Sequence, residues 1–328
     1  MACGSKGEVT PGRTGGVALR WAAAVVNALL WVVQLLGAGL LLLVDLATGL
    51  AGWRQGSARP RFMVHKAWED ALFLHWAVPP EQLQALLPLG LEPDLLDGKA
   101  YIGLVLLREA GIQPALAPRL RSHLGITHLA ANVRTYVRPR GKPSAPGGVY
   151  FFSLEASSFV ASLGAFTLFG LPYHAASMER TWDTVRRQCR FTSTRWGWTG
   201  PPLEALYEAG STPEVGSDDR AAEFFVERYC LYHRLPFRRR VSRGRICHLP
   251  WKLRGGCRLL HLAGASDLIA SVCPGLQPVA AANHCAHDLA EQMPLMKSTM
   301  GEWGQTPAFV HFGSVDSNIE FHMFEPVL

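Results

Sequence analysis

From Trp21 to Val44 the chain runs 24 residues without a charge, and only Asn27 and Gln34 interrupt it with strongly polar side chains. Such a run must be hidden from water, and its length limits how. As a helix rising 1.5 Å per residue it spans about 36 Å, enough to cross a ~30 Å hydrocarbon core with some tilt. A core helix of a globular domain is shorter and keeps a polar stripe, which is missing here. The apolar core of a cleaved signal peptide covers about 7–15 residues, although small residues at Ala47, Gly49 and Ala51 keep cleavage open. Trp21 and Trp53 stand near the edges, where indoles favour the interface. The segment therefore reads as one transmembrane helix within residues 17–50. It makes the lipid bilayer a partner through residues 21–44, after a Gly/Ser/Thr-rich, unstructured residues 1–16. Lys6, Arg13 and Arg20 precede the run, and Arg54, Arg59, Arg61 and Lys66 follow it. This slight excess puts the following domain in the cytosol. Residues 51–61 are a linker.

The rest of the 328 residues is globular in character. The whole chain is 48% hydrophobic and 18% charged, which excludes intrinsic disorder. A net charge of +6 does not demand nucleic acid, and the Arg238–Arg240 cluster with Arg243 and Arg245 lacks the interleaved aromatics of a strand-binding groove. That cluster reads as a solvated hairpin or, beside a membrane, as an anionic-lipid patch. Seven cysteines at irregular spacing, with no Cys-x-x-Cys, argue against a disulfide scaffold and a zinc ribbon. His284, Cys285 and His287 are the nearest approach to metal ligands, but no second cluster accompanies them. Neither a metal nor a cofactor is expected.

Beyond Pro60 the pattern changes to short segments of period two. Ala71–Val78 and Ala100–Leu107 read as strands, and Glu81–Leu87 as a short helix entered through Pro80. Asp97-Gly98 is a turn. In Asn132–Val137, Asn132, Arg134 and Tyr136 share one face. Val149–Ala156 is a further strand. Leu203–Ala222, rich in Gly, Pro and acids, reads as a surface excursion, and Glu223–Leu231 as a helix. Many short strands and few long helices imply an α+β, mainly antiparallel β fold.

Several strings make the family explicit. These are His75-Trp76-x-Val78-Pro79-Pro80, Asp97-Gly98-x-Ala100-Tyr101-Ile102-Gly103, Asn132-Val133-Arg134-Thr135-Tyr136-Val137, Glu227-Arg228-Tyr229 and His248-Leu249-Pro250-Trp251. Together they resemble the YqjF-like family of uncharacterised proteins over residues 62–257. The resemblance implies an acetoacetate-decarboxylase-like fold, a cone-shaped barrel around a small pocket. It also implies that residues 258–328, a divergent segment with a weak echo at His311-Phe312, close the barrel. The N-terminal anchor is an addition to that family.

Decarboxylases of this kind resemble the chain at Phe169-Gly170-Leu171-Pro172-Tyr173-His174, where their two adjacent lysines are replaced by Tyr173 and His174. A phenol cannot form an imine, and none of the six lysines here is adjacent to another. Schiff-base decarboxylation is therefore not expected. Arg134, Tyr136, Glu155, Tyr173 and His174 remain as candidate ligand-binding residues, with Tyr173 and His174 the catalytic candidates. An arginine beside a phenol and an imidazole suits a small anionic or carbonyl ligand. Three readings stay open: passive ligand binding, an enzyme using His/Tyr acid–base chemistry, and a membrane-tethered scaffold without a ligand. Arg134 pairing with Glu155 or Glu227 inside the sheet would favour the scaffold.

Overall fold

The computed structural model describes residues 61–115, 125–210, 212–213, 220–234, 240–279, 307–322 and 324–327. The expected transmembrane helix, His284–His287 and most of the Arg238–Arg240 cluster lie outside the described residues. Among the described residues no helix is long and apolar enough to cross a membrane, and no three His, Cys, Asp or Glu side chains are grouped to hold a metal ion.

The chain enters the fold through β1 (Arg61–His65) and β2 (Ala67–Val78), then α1 (Pro80–Leu86) and β3 (Leu91–Pro93). The long strands β4 (Ala100–Pro114), β5 (Ile126–Pro139) and β6 (Gly148–Ala156) follow. After α2 (Phe159–Phe169) come β7 (Tyr173–Asp183), β8 (Gln188–Arg195), β9 (Leu203–Glu208) and β10 (Thr212–Pro213). Then α3 (Arg220–Val226) leads to β11 (Cys230–His233), β12 (Ser242–Cys247), β13 (Lys252–Gly255) and β14 (Arg258–Ala263). The chain ends with α4 (Ala265–Val272), β15 (Phe309–Val315), β16 (Ile319–His322) and β17 (Glu325–Pro326).

The strand pairings close on themselves. β4 pairs with β5, β5 with β6, β6 with β11, β11 with β12, β12 with β16, β16 with β1, and β1 with β4. All are antiparallel except β6–β11, which meet in parallel at Leu231 and Val149. The result is a barrel whose inner face needs its own filling. Outside it, β2 pairs with β4 and β15, while β7, β8, β9 and β14 extend from β6 as a second layer.

Period-two alternation explains why two cores form. On β2, Leu72, Leu74, Trp76 and Val78 point outward into a core shared with Phe191, Tyr207, Leu259 and Ile269. Ala71, Phe73 and Ala77 point to the other side, with Tyr101, Val105, Tyr136, Phe225 and Ile246. A strand buried on both faces needs apolar residues at nearly every position, as Ala71–Val78 supplies.

Two expectations change. Leu203–Ala222 is not a surface excursion throughout: β9 alternates buried and half-buried residues and buries Tyr207 completely. The helix expected over Glu223–Leu231 is α3, ending at Val226, and the next residues lead into β11. The described cysteines, Cys189, Cys230, Cys247, Cys257 and Cys273, are free thiols.

Candidate ligand-binding site

The barrel encloses a cavity of about 650 Å³, within the usual range for a drug-sized molecule. Its wall is built mostly from inward positions of β4, β5 and β6: Val105, Leu107, Glu109, His128, Asn132, Arg134, Val149, Phe151 and Leu154. One side is α2, which presents Val160, Ala161, Gly164, Ala165 and Phe169. Ser158 caps this helix by accepting from Ala161 N, and Gly170, in the left-handed region at φ 61°, ends it. Trp68, Trp251 and Phe321 form an aromatic wall, the two indoles stacked with centroids 5.6 Å apart.

The polar groups fall into two sets. At the first, Arg134 donates to Phe225 O at 3.0 Å and to the Tyr136 hydroxyl at 3.2 and 3.3 Å. Its guanidinium also lies over the Phe73 ring at 5.2 Å. The Tyr136 hydroxyl sits 2.7 Å from His75 Nε2. Because the phenol accepts from Arg134, its own proton points to the imidazole. His75 is fully buried and stacks on Phe225, centroids 3.9 Å apart. Burial holds His75 neutral, well below the ordinary imidazole range, and His311 and Arg134 push the same way. Gly103 makes the pair possible: a Cβ there would lie 3.1 Å from the His75 ring. Arg228, also in the wall, is paired with Asp94 at 2.6 Å, and Asp94 is shared with Arg138. Arg134 has no carboxylate partner among the described residues. Glu227 instead accepts from Trp251 N at 2.8 Å and from Tyr229.

The second set lies further along β5. His128 faces the cavity directly across the β4–β5 ladder from Glu109. His128 Nδ1 bonds Leu129 O at 2.9 Å, which places the proton on Nδ1 and turns Nε2 toward Glu109 Oε2, 3.3 Å away. That contact is not aligned as a hydrogen bond, and Oε2 has no hydrogen-bond partner. Burial raises the Glu109 carboxyl above the ordinary range, with His128 pulling partly back. Tyr173 completes this set. Burial raises its phenol well above the ordinary value, and the charge of Glu109 adds to the rise. His65 is held at about 3 by burial and by His128, and it accepts from Trp68 Nε1 at 3.2 Å.

Of the residues expected from the sequence, the cavity gathers Arg134 and Tyr173, with Tyr136 buried behind Arg134. It does not gather Glu155 or His174. Glu155 lies on the opposite face of β6, where it accepts from Arg195 Nε at 2.9 Å and Ser193 Oγ at 2.7 Å. His174 stands opposite Glu155 in the β6–β7 ladder and is absent from the cavity wall. Burial, then Arg195, lowers it to about 4. Adjacent strand residues point to opposite faces, so Tyr173 and His174 cannot both enter one cavity. Among the described residues no lysine lines the cavity; Lys252 is exposed and paired with Asp316 at 3.1 Å. Glu109, His128, His65 and Arg228 were missed. The signal was parity: Val105, Leu107 and Glu109 share a face, as do His128, Asn132 and Arg134.

A family model described as DUF2071, an uncharacterised conserved protein, matches residues 65–270. The chain is 31% identical over 220 residues to the uncharacterised protein YqjF of Bacillus subtilis (strain 168), covering 66% of this chain and 86% of that one. Among solved structures it is similar to the enduracididine biosynthesis enzyme MppR, at TM-score 0.51 and 13% identity over 84% of this chain and 91% of that one. It is likewise similar to acetoacetate decarboxylase from Legionella pneumophila, at TM-score 0.50 and 12% identity, with 84% and 91% covered. At these identities the likeness establishes the acetoacetate-decarboxylase-like fold and nothing about chemistry.

Proposed function

This chain belongs to the DUF2071 family, and from the chemistry of its cavity we propose that its barrel binds a small, largely apolar molecule bearing an anionic or carbonyl group. The observation that carries the reading is Arg134. A guanidinium in the wall of an apolar cavity, with no carboxylate partner among the described residues, favours an incoming anion or carbonyl oxygen. Tyr136 and the Phe225 carbonyl fix its orientation from behind, so little side-chain freedom is lost on binding. The apolar walls then contribute by removing the rest of the ligand from water.

The test uses decanoate and native mass spectrometry of the full-length chain. Decanoate binds the unmodified protein, and Arg134→Ala weakens it about 10-fold or more, the loss of a charge-assisted hydrogen bond. Equal binding by both proteins, or binding by neither, overturns the reading.

The uncharged segment from Trp21 to Val44 supports a second element of the proposal. Residues 21–44 anchor the chain in a bilayer, with the barrel on the cytosolic side. Alkaline carbonate leaves an anchored chain in the membrane pellet; release into the supernatant overturns the anchor without touching the ligand reading.

A further inference from the structure

We propose that Glu109, His128 and Tyr173 form an acid–base centre that moves a proton at the carbon next to a ketone of the molecule bound in the cavity. This rests on the ligand-binding reading above and adds a reaction to it.

Three observations converge. First, all three side chains face the same cavity from three strands, β4, β5 and β7. Second, the Glu109–His128 pair is oriented for proton exchange. Leu129 O accepts from His128 Nδ1 and orients the ring, so Nε2 faces Glu109 Oε2 at 3.3 Å. Hydrogen bonds of acid–base pairs are often long or misaligned in the free enzyme and tighten when substrate binds. Third, Glu109 is buried yet has no arginine or lysine partner among the described residues, and its Oε2 makes no hydrogen bond. A buried carboxyl whose only ionisable partner is an imidazole is costly to keep for stability alone.

The step balances without a co-reactant. The Glu109 carboxylate takes the proton from the carbon, the C–H electron pair passing into the enolate, and the new carboxyl O–H donates to His128 Nε2. The Tyr173 hydroxyl donates to the developing enolate oxygen. Return of the proton to the same carbon exchanges or inverts it, and return to a conjugated carbon isomerises the molecule. No bond other than C–H, O–H and N–H needs to form or break.

The spacing defines the substrate class. His128 and Arg134 are six residues apart on one face of β5, about 20 Å between backbone positions at ~3.3 Å per residue. Val105, Leu107 and Leu154 line the wall between them. The substrate is therefore an elongated apolar molecule, anionic at the Arg134 end and enolisable toward the other.

The probe is 10-oxoundecanoate in D₂O, with binding followed by native mass spectrometry and deuteration of C9 and C11 by mass. The full-length protein accelerates deuteration at least 100-fold over buffer. Glu109→Gln and His128→Asn lose about 100-fold or more of that rate, the usual range for a positioned acid or base. Tyr173→Phe, which deletes one hydroxyl and preserves the packing, loses about 10-fold and decides the question should the other two fail to fold. Bound probe without acceleration overturns the acid–base centre and leaves ligand binding standing. Acceleration that survives in Tyr173→Phe, or in a folded Glu109→Gln, also overturns it. No binding of the probe overturns both readings.

Discussion

Glu155 and Arg195 illustrate what a charge does when the barrel turns it away from the cavity. The pair is almost fully buried and hydrogen-bonded on both sides: Arg195 reaches Glu155 Oε1 at 2.9 Å and Ser153 Oγ at 2.7 Å, and Ser193 donates to Glu155 Oε2 at 2.7 Å. It ties the barrel strand β6 to the outer strand β8. Removing one member leaves the other as an uncompensated buried charge, so Arg195→Ala costs about 3–5 kcal/mol. For a domain of this size that is roughly 2–4 °C of melting temperature per kcal/mol. A melt of Arg195→Ala within a degree of the unmodified protein contradicts this account. Arg134 was legible as a wall residue because Asn132 and Arg134 alternate cleanly; Tyr136 shares their parity but stands behind Arg134, outside the wall. Glu155 was not legible, because the register slips between Val133/Arg134 and Ser153/Phe151, leaving Phe152 as an extra residue. One inserted residue reverses which side chains of a strand face inward.

Among the elements, α2 gave the least sequence signal for its importance. Phe159–Phe169 carries no charge and no amphipathic period, so nothing in the string Phe-Val-Ala-Ser-Leu-Gly-Ala-Phe-Thr-Leu-Phe separates a helix from an apolar strand. Only its ends speak, with Ser158 before it and Gly170 after it. The lack of a polar face fits a helix that lines a cavity on one side and rests on β7 and β6 on others. Gly164 sits in its middle, facing the cavity, and a Cβ there meets nothing within 4 Å. Gly164→Ala therefore stabilises the helix by up to about 1 kcal/mol and leaves decanoate binding intact. Gly164→Leu intrudes into the cavity and weakens binding while the protein stays folded. Paired calorimetry and native mass spectrometry check both, and unaltered binding in Gly164→Leu places the ligand elsewhere. The strand β9 was readable from its alternation; its Pro- and acid-rich surroundings masked it.

For the whole molecule, burial of imidazoles sets the response to acid. His65, His174 and His233 are lowered to about 3, 4 and 4, and His75 is lowered well below its ordinary value, each mainly by burial. An unfolded chain protonates these groups near pH 6.5, whereas the folded chain does not until pH 3–4. The unfolded state thus binds more protons in that window, and stability falls as pH drops from 6.5 toward 4. Each histidine contributes at most about 1.4 kcal/mol per pH unit. Glu109, raised by burial, acts oppositely, losing stability as pH rises through its folded value. Three or four histidines outweigh one carboxyl, so the melting temperature climbs between pH 4 and 6.5. A flat profile across that range contradicts the burial of these rings. The strand-rich class was visible in the sequence, and the family motifs carried the barrel. Ring closure was not visible, because pairings such as Val64 with Glu320 join residues from opposite ends of the chain.

That closure also fixes an order of events during synthesis. β16 touches both β1 and β12 and follows every other strand of the ring in the chain. Synthesis runs from the N-terminus, so every other stave is made before the ring can shut. Until β16 arrives, the inner face of β4, β5 and β6 stays open to whatever the nascent chain meets. A chain cut before Ile319 lacks this stave and leaves the facing edges of β1 and β12 unpaired, the kind of surface that recruits chaperones or a second copy.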